Sequence, residues 1–376
     1  MIPPPLFSAS HLYKKKGRYD IILHVLPDST LSKTDIETIL NLASWHVDPN
    51  EKAEGYEGGR SVLISREKVA TIGDVEFAAL QLGGIGYRKM NADEQGNAHI
   101  SAPEFFPPSP HNFMDGLSPG LNGYSYVEHG NLIHKIPKYT PLGSYDWEEL
   151  VIKVNGTYQA QQLTMSNLIV PRLEAYGMYI DSHLQYKNEP FGFLVINALS
   201  TTKKRLIGEL MSPLTSTPEE ARTDSVVEDI NLMEKINSAL RFISQGLRDL
   251  HRHHKVHLST HTSNWYMNEP AILTDWESMR ELEGSVEDQA LNRALDFEKP
   301  VRELVHLFKE MAPYYPDSIF ADIEQIHFQS AAEAYAGEKI SSHCLEWDYE
   351  TVWPTLNLKL LQGWMIDVIQ SEKKCL

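Results

Sequence analysis

Two polar residues eleven positions apart could hold a metal ion, and a cluster of histidines and hydroxyls surrounds them. The stretch reads Leu250-His-Arg-His-His-Lys-Val-His257-Leu-Ser259-Thr-His261-Thr-Ser263-Asn264-Trp265, followed by Ala271-Ile-Leu-Thr-Asp275-Trp276-Glu277. Asn264 and Asp275 supply an amide carbonyl and a carboxylate from neighbouring strand ends. A hard divalent cation such as Mg2+ or Mn2+, bridging phosphate groups, takes oxygen donors of this kind. Ser259, His261 and Ser263 are the candidate catalytic side chains beside them. A serine cannot accept a proton near neutral pH, whereas His261 can if its ring points inward; the alternative is that His261 only shapes the loop. Neither serine lies in a G-x-S-x-G elbow, which argues against a serine nucleophile. His253 and His257 have the i, i+4 spacing of a helical zinc pair. The helix should end near His253, however, and a solvated, slightly cationic helix C-terminus explains the cluster more simply.

A second candidate region is Leu80-Gln81-Leu82-Gly83-Gly84-Ile85-Gly86. Gly83, Gly84 and Gly86 could bring backbone N–H groups close to a phosphate, although a tight turn without ligand accounts for them equally well. No helical pattern follows, so a dinucleotide-binding fingerprint is disfavoured. Phe191 to Ala198 reads as a buried strand linking two lobes, with Asn197 and Ala198 placed to offer backbone groups to an adenine edge.

Strands are expected at Tyr19 to Leu26, Arg60 to Ser65, Val75 to Leu82, Glu174 to Ile180 and Phe191 to Ala198, with a short helix over Ser32 to Ala43. Residues 91–122 are rich in Pro, Gly, Asn and His and read as an insertion. Gly123 to Lys138 reads as a hairpin about His129-Gly130-Asn131, and Asp146 to Leu168 as a helix. Beyond residue 200 helices dominate, at 218–253, 299–312, 317–336 and 355–371. The expectation is an α+β chain with a strand-rich N-lobe over 1–199 and a helical C-lobe over 200–376.

The loop resembles the catalytic and metal-binding loops of protein kinases and aminoglycoside-type phosphotransferases, H-[RG]-D-x-x-x-x-N followed by D-F-G or D-W-E. His257 matches the first histidine, Asn264 the metal-binding asparagine and Asp275 the metal-binding aspartate; His261 matches a second histidine found in the H-G-D-L-H-P-x-N version. Ser259 stands where those families keep their base. Gly59-Arg60-Ser-Val-Leu-Ile and Leu80 to Gly86 are similar to segments of selenoprotein O pseudokinases, which transfer AMP to protein hydroxyls. That resemblance puts Gly83 at the position of a phosphate-gripping lysine and Ser263 at that of an aspartate. It implies a two-lobed protein-kinase-like fold that binds ATP or another nucleotide with Mg2+ or Mn2+, and a divergent pseudokinase that transfers AMP or another nucleotide-derived group to a protein. The alternatives are a non-catalytic interaction protein and a small-molecule phosphotransferase.

The 376 residues carry 34 Lys and Arg against 51 Asp and Glu, a net charge of −17. Such a balance disfavours nucleic acid as a partner. Two cysteines, Cys344 and Cys375, make no disulfide framework, and a prolyl start, Met1 to Ser10, is unlike a signal peptide. With no long apolar run, no membrane contact is expected and a cytoplasmic location fits, host-cell cytosol included for a delivered effector.

Overall fold

The computed structural model describes residues 11–16, 20–44, 55–57, 61–85, 90–92, 98–100, 124–128, 131–135, 145, 147–180, 185–186, 189–202, 206, 226–311, 329–340, 347–348 and 355–374. The chain has the strand-rich and helix-rich regions of the expected α+β class. It forms two compact units. One comprises Met1–Gly116, Lys138–Gln162 and Pro171–Lys203; the other comprises Leu117–Pro137, Leu163–Val170 and Lys204–Leu376.

The first unit is built on a seven-stranded sheet. Its strands are β1 (His11–Lys15), β2 (Ile21–Val25), β3 (Gly55–Glu57), β4 (Ser61–Ile72), β5 (Val75–Gly83), β6 (Leu173–Tyr179) and β7 (Gly192–Ala198). Their order is β1-β2-β6-β7-β5-β4-β3, antiparallel throughout. Strands β2, β6 and β7 are buried at every position, because a helix covers each face. Helix α1 (Lys33–Ala43) packs Ile36, Ile39 and Leu40 against Leu23, Val25, Phe193 and Val195. Helix α2 (Trp147–Gln161) packs Leu150 and Val154 against Tyr176, Met178, Leu194 and Ile196. Period-2 alternation thus divides apolar residues between two cores, and the strands read as continuous apolar runs.

Helix α1 starts where its capping residues dictate. Ser32 Oγ accepts the Asp35 N–H at 3.0 Å and the Asp35 carboxylate accepts the Ser32 N–H at 2.9 Å, a reciprocal pair that satisfies two orphan donors. The other Asp35 oxygen accepts the Glu67 N–H at 2.9 Å and ties the helix to β4.

One buried ion pair spans the sheet: Arg66 Nη1 lies 3.1 Å from Glu174 Oε1, with side chains 1% and 0% exposed. Glu174 also accepts from Ser29 Oγ, Thr30 N and Thr30 Oγ1 at 2.6–2.8 Å, and Arg66 Nη2 donates to Thr30 O at 3.0 Å. Arg66 Nη1 further donates to Asn197 Oδ1.

In the second unit, helices α3 (Val226–Arg252), α4 (Val286–Met311) and α5 (Leu358–Lys374) carry the structure, with a further helix at 329–336. Helix α4 begins 13 residues before the expected 299–312. Lys299-Pro300 resembles a helix start, but Pro300 lies within the helix and the buried polar Asn292, Arg293 and Asp296 interrupt its apolar face. Leu168–Ile169, expected as the end of a helix running from Asp146, is a strand pairing in parallel with Ala271–Leu273. Asp249 Oδ2 accepts the Ser166 and Asn167 N–H groups at 3.0 and 2.8 Å and holds that segment extended. The expected hairpin is present as Tyr124–Glu128 paired with Asn131–Lys135. Within the expected insertion Met90–Ala92 pairs with Ala98–Ile100; residues 101–122 lie outside the described residues. Among the described residues no helix is long and apolar enough to cross a membrane.

Two substitutions test these packing arguments. Glu174→Gln leaves Arg66 as an uncompensated buried cation and should lower unfolding free energy by about 3 kcal/mol or more in urea titration. His24 on β2 stacks on Tyr176 at 4.7 Å, while both its ring nitrogens are buried without a partner among the described residues. His24→Phe keeps the stack and removes two unpaired polar atoms, so it should stabilise the protein by about 1–2 kcal/mol.

Candidate functional site

Helix α3 ends at Arg252, and His254, in the left-handed region at φ 55°, turns the chain into the short strand Lys255–Val256, which pairs with Arg280–Glu281. The loop that follows is organised by one side chain of α4. Asp296 is fully buried and accepts the His257 N–H at 2.8 Å and the Leu258 N–H at 2.7 Å, while its backbone oxygen accepts from Thr260 Oγ1 at 2.7 Å. Its carboxylate also meets His251 Nε2 at 3.1 Å, and His251 Nδ1 meets Tyr335 Oη at 2.5 Å. A neutral His251 that donates from Nε2 and accepts at Nδ1 satisfies both contacts. Burial works against ionisation of Asp296, yet these donors hold it below the usual carboxylate range.

His257 is fixed equally tightly. Its Nδ1 accepts the Ser259 N–H at 3.2 Å, so Nε2 carries the proton and donates to Thr274 O at 2.9 Å. The ring meets Trp276 edge to face at 4.8 Å. Burial lowers its pKa to about 4 against the opposing pull of Asp296.

The structure brings Asn264 and Asp275 to adjacent positions. Strand Trp265–Tyr266 pairs with Ala271–Leu273, and just beyond that ladder Asn264 O accepts from Thr274 N at 2.9 Å and Thr274 Oγ1 at 3.1 Å. The residue before Asp275 is therefore bonded to Asn264 itself. Asn264 Nδ2 donates to Ser259 O at 2.8 Å, which orients the amide and turns Oδ1 into its remaining acceptor. Asp275 is exposed and left-handed, at φ 62°, a conformation that aspartate tolerates better than most residues.

The three catalytic candidates surround this pair without forming a base and nucleophile. Ser259 is buried, its Oγ 3.5 Å from Asn264 Nδ2. The same amide nitrogen lies 3.0 Å from His261 Nε2, and since an amide N–H can only donate, Nε2 is the acceptor. Nδ1 of a neutral His261 then carries the proton and donates to Ser263 Oγ. His261 positions Ser263 and Asn264 in this arrangement and does not draw a proton from Ser263.

Glu303, also on α4, accepts from Thr262 N and Oγ1 at 2.6 and 2.9 Å and pins the 3-10 turn Thr262–Asn264. Burial raises its pKa, and burial lowers that of Lys299, one turn earlier, to about 8. Sequence reading missed Asp296 and Glu303 because they lie 21 or more positions beyond the loop motif. The available signal was a run of acidic residues inside a helix whose polar positions face inward.

Gly83, Gly84 and Asn197 belong to the other unit. Gly83 ends β5 and Gly84, at φ 84°, turns away from it. A Cβ on Gly83 would lie 2.5 Å from Tyr145 Oη, and one on Gly84 would lie 2.6 Å from Tyr145 Cδ2. The need for glycine here is explained by the Tyr145 ring resting on the turn. Gly86 lies outside the described residues. Asn197 is buried; its N–H donates to Arg172 O at 2.9 Å and its Oδ1 accepts from Arg66, so both are committed within the unit.

Lys153 of α2 was not anticipated. It is 5% exposed, its Nζ lies 4.9 Å from the centre of the Tyr145 ring, and it is 4.0 Å from Glu149 Oε1. A lysine and glutamate pair therefore exists beside the glycine turn, one helical turn apart on a single helix.

No family model and no curated protein matches the sequence. Among solved structures, one similar chain is a divergent kinase lacking the glycine-rich loop, reported to regulate membrane ultrastructure of the Toxoplasma parasitophorous vacuole. The match has 13% identity, covers 50% of this chain and 60% of that one, and has a TM-score of 0.27. This chain thus spans well under two thirds of that kinase.

The buried histidines give the loop a pH signature. As pH falls from about 6.5 to 4, the unfolded chain takes up a proton at His257 that the native state refuses, so stability present above pH 6.5 is lost. His257 alone should cost roughly 2 kcal/mol between pH 7 and pH 5. Urea titrations at the two pH values should show this fall, and His257→Asn should reduce the difference.

Proposed function

We propose that this chain is a divergent, pseudokinase-like protein that binds a nucleotide together with a divalent cation at Asn264 and Asp275. The observation that supports the reading is the bonding of the Asn264 backbone oxygen to Thr274, which puts the residue before Asp275 beside Asn264 on a loop locked from within by Asp296. Asn264 and Asp275 both offer hard oxygens suited to Mg2+ or Mn2+. Among the described residues no three His, Cys, Asp or Glu side chains cluster as a metal site, so two protein donors fit a cation that arrives with phosphate oxygens and water as its other ligands. The cation would neutralise phosphate charge, and Asn264 and Asp275 would hold it.

If the bound nucleotide reacts, transfer of AMP or a similar group to a protein hydroxyl would rest on positioning and electrostatics, since Ser259 replaces the base and His261 is engaged at both nitrogens. General-base help is worth about 10²- to 10⁴-fold, and its loss slows such chemistry without abolishing it. A second reading, an interaction protein that no longer takes nucleotide, draws on one observation: Tyr145 covers Gly83 and Gly84.

A thermal-shift series with ATP and Mg2+ or Mn2+ separates the two. Ligand at about 100 times its dissociation constant should add about 2.7 kcal/mol to the unfolding free energy. Asp275→Ala should abolish that gain while costing the unliganded protein only about 1 kcal/mol for placing alanine at a positive φ. No shift with any nucleotide at millimolar concentration establishes the second reading. Ser259→Asp raising ATP turnover would instead favour a small-molecule phosphotransferase.

A further inference from the structure

The second unit contains another polar centre, away from the loop motif. The end of α3, the first half of α4, the 329–336 helix and α5 enclose a cavity of about 420 Å³. A space of this size holds a small metabolite. Four permanent cations line it, Arg248, Arg252, Arg293 and Lys373, against the carboxylates of Glu338 and Glu372. That excess of positive charge occurs in a chain of net charge −17.

The arginines are only partly satisfied from within. Arg293 is 3% exposed; its Nη1 donates to Glu372 Oε2 at 2.9 Å and its Nη2 to His251 O at 3.1 Å, but its Nε is buried with no acceptor among the described residues. Arg252 Nε donates to the other Glu372 oxygen at 3.2 Å. Glu372 is thus shared by two guanidiniums: burial works to raise its pKa, and Arg293 with Arg252 holds it below the usual carboxylate range.

Arg248 is the outlier, because its Nε is also buried without an acceptor among the described residues. Its guanidinium lies against Gly337, which is left-handed at φ 76°; a Cβ there would come within 2.1 Å of Nη1. Burial and the neighbouring Arg252 both depress its pKa, as expected of a cation short of counter-charge. Buried donors without partners cost stability, and here two of them belong to arginines lining a cavity whose permanent cations outnumber its carboxylates by two.

We propose that this cavity binds a small organic phosphomonoester, whose phosphate oxygens accept from Arg248, Arg252 and Arg293 while its body lies on Val368 and Ile369. Phosphate fits better than carboxylate on two counts. Its two charges balance the excess of two cations, and its three terminal oxygens can accept from several forked guanidiniums at once, where a carboxylate has two oxygens. The intramolecular carboxylate, Glu372, already occupies the part of the site that a carboxylate can satisfy.

The test uses calorimetric titration of the full chain at constant ionic strength with phenyl phosphate, phenyl sulfate and inorganic phosphate. Phenyl phosphate should bind saturably and more tightly than phenyl sulfate, which has the same shape and one charge fewer, and than inorganic phosphate, which lacks the apolar body. Arg248→Met removes a cation whose Nε has no acceptor among the described residues and should weaken phenyl phosphate binding about tenfold or more, the effect of one lost charge-assisted hydrogen bond. Gly337→Ala displaces the same guanidinium without changing charge and should weaken binding too. Glu372→Gln, with a competing anion removed, should tighten it. Asp275→Ala should leave it unchanged, which separates this cavity from the nucleotide site. The proposal is overturned if phenyl phosphate fails to bind at concentrations on the order of 10 mM, if sulfate or inorganic phosphate binds equally well, or if both the Arg248 and Gly337 variants bind like the parent.

Discussion

Asp296 is the residue on which the second unit's loop depends. A fully buried carboxylate is costly unless donors surround it, and here two successive backbone N–H groups and a histidine ring supply them. The same contacts also dictate the loop's shape. Leu258 is held at φ 64°, a left-handed conformation that costs a branched residue about 1–2 kcal/mol. It persists because the Leu258 N–H points at Asp296. Removing the carboxylate would strand three donors at about 1–3 kcal/mol each, so the loop and the helix below it stand or fall together.

This dependence explains why the form of the loop does not hang on the side chain at position 259. None of the bonds that shape the loop uses the side chain at position 259; they use its N–H, which donates to His257, and its carbonyl, which accepts from Asn264. An aspartate and a serine at this position are equivalent to the backbone network. The Asn264 amide, the His257 ring and the Thr274 hydroxyl are, by contrast, each bonded to a backbone carbonyl, and exchanging any of them leaves a buried group unpaired. Loss of chemistry at Ser259 therefore carries little structural penalty.

The parts legible in the sequence are those whose signals are local. The short helix at 32–43, the hairpin at 124–135 and the strands of the central sheet each depend on residues within a dozen positions of one another. What escaped are partners joined only by folding. Asp296 and Glu303 sit on a helix whose first half is polar, and the polar residues that seemed to deny it a buried face are the ones that form the buried network. Gly83 and Gly84 are open to two readings, a phosphate loop or a tight turn, and Tyr145, more than 60 residues away in sequence, supplies a steric reason for glycine that spacing could not reveal. The Asn197 backbone N–H, expected to be on offer to an adenine edge, donates to Arg172 O, and Arg66, from a non-neighbouring strand, takes its side-chain oxygen.

Both units therefore invest in buried charge, and they use it differently. In the sheet unit Arg66 and Glu174 are one cation and one anion, ringed by hydroxyls and an amide. In the helical unit the balance is uneven. His251 lies between its two polar centres, giving its ring to Asp296 and its carbonyl oxygen to Arg293, so the loop that carries Asn264 and the cavity lined by Arg248 share a wall. A neutral His251 is what both sides require: a protonated ring would lose Tyr335 as a donor to Nδ1 and add a cation beside Arg293. Burial, which lowers the pKa of His251, keeps the ring neutral and allows an anionic loop anchor and a cationic cavity to be built back to back.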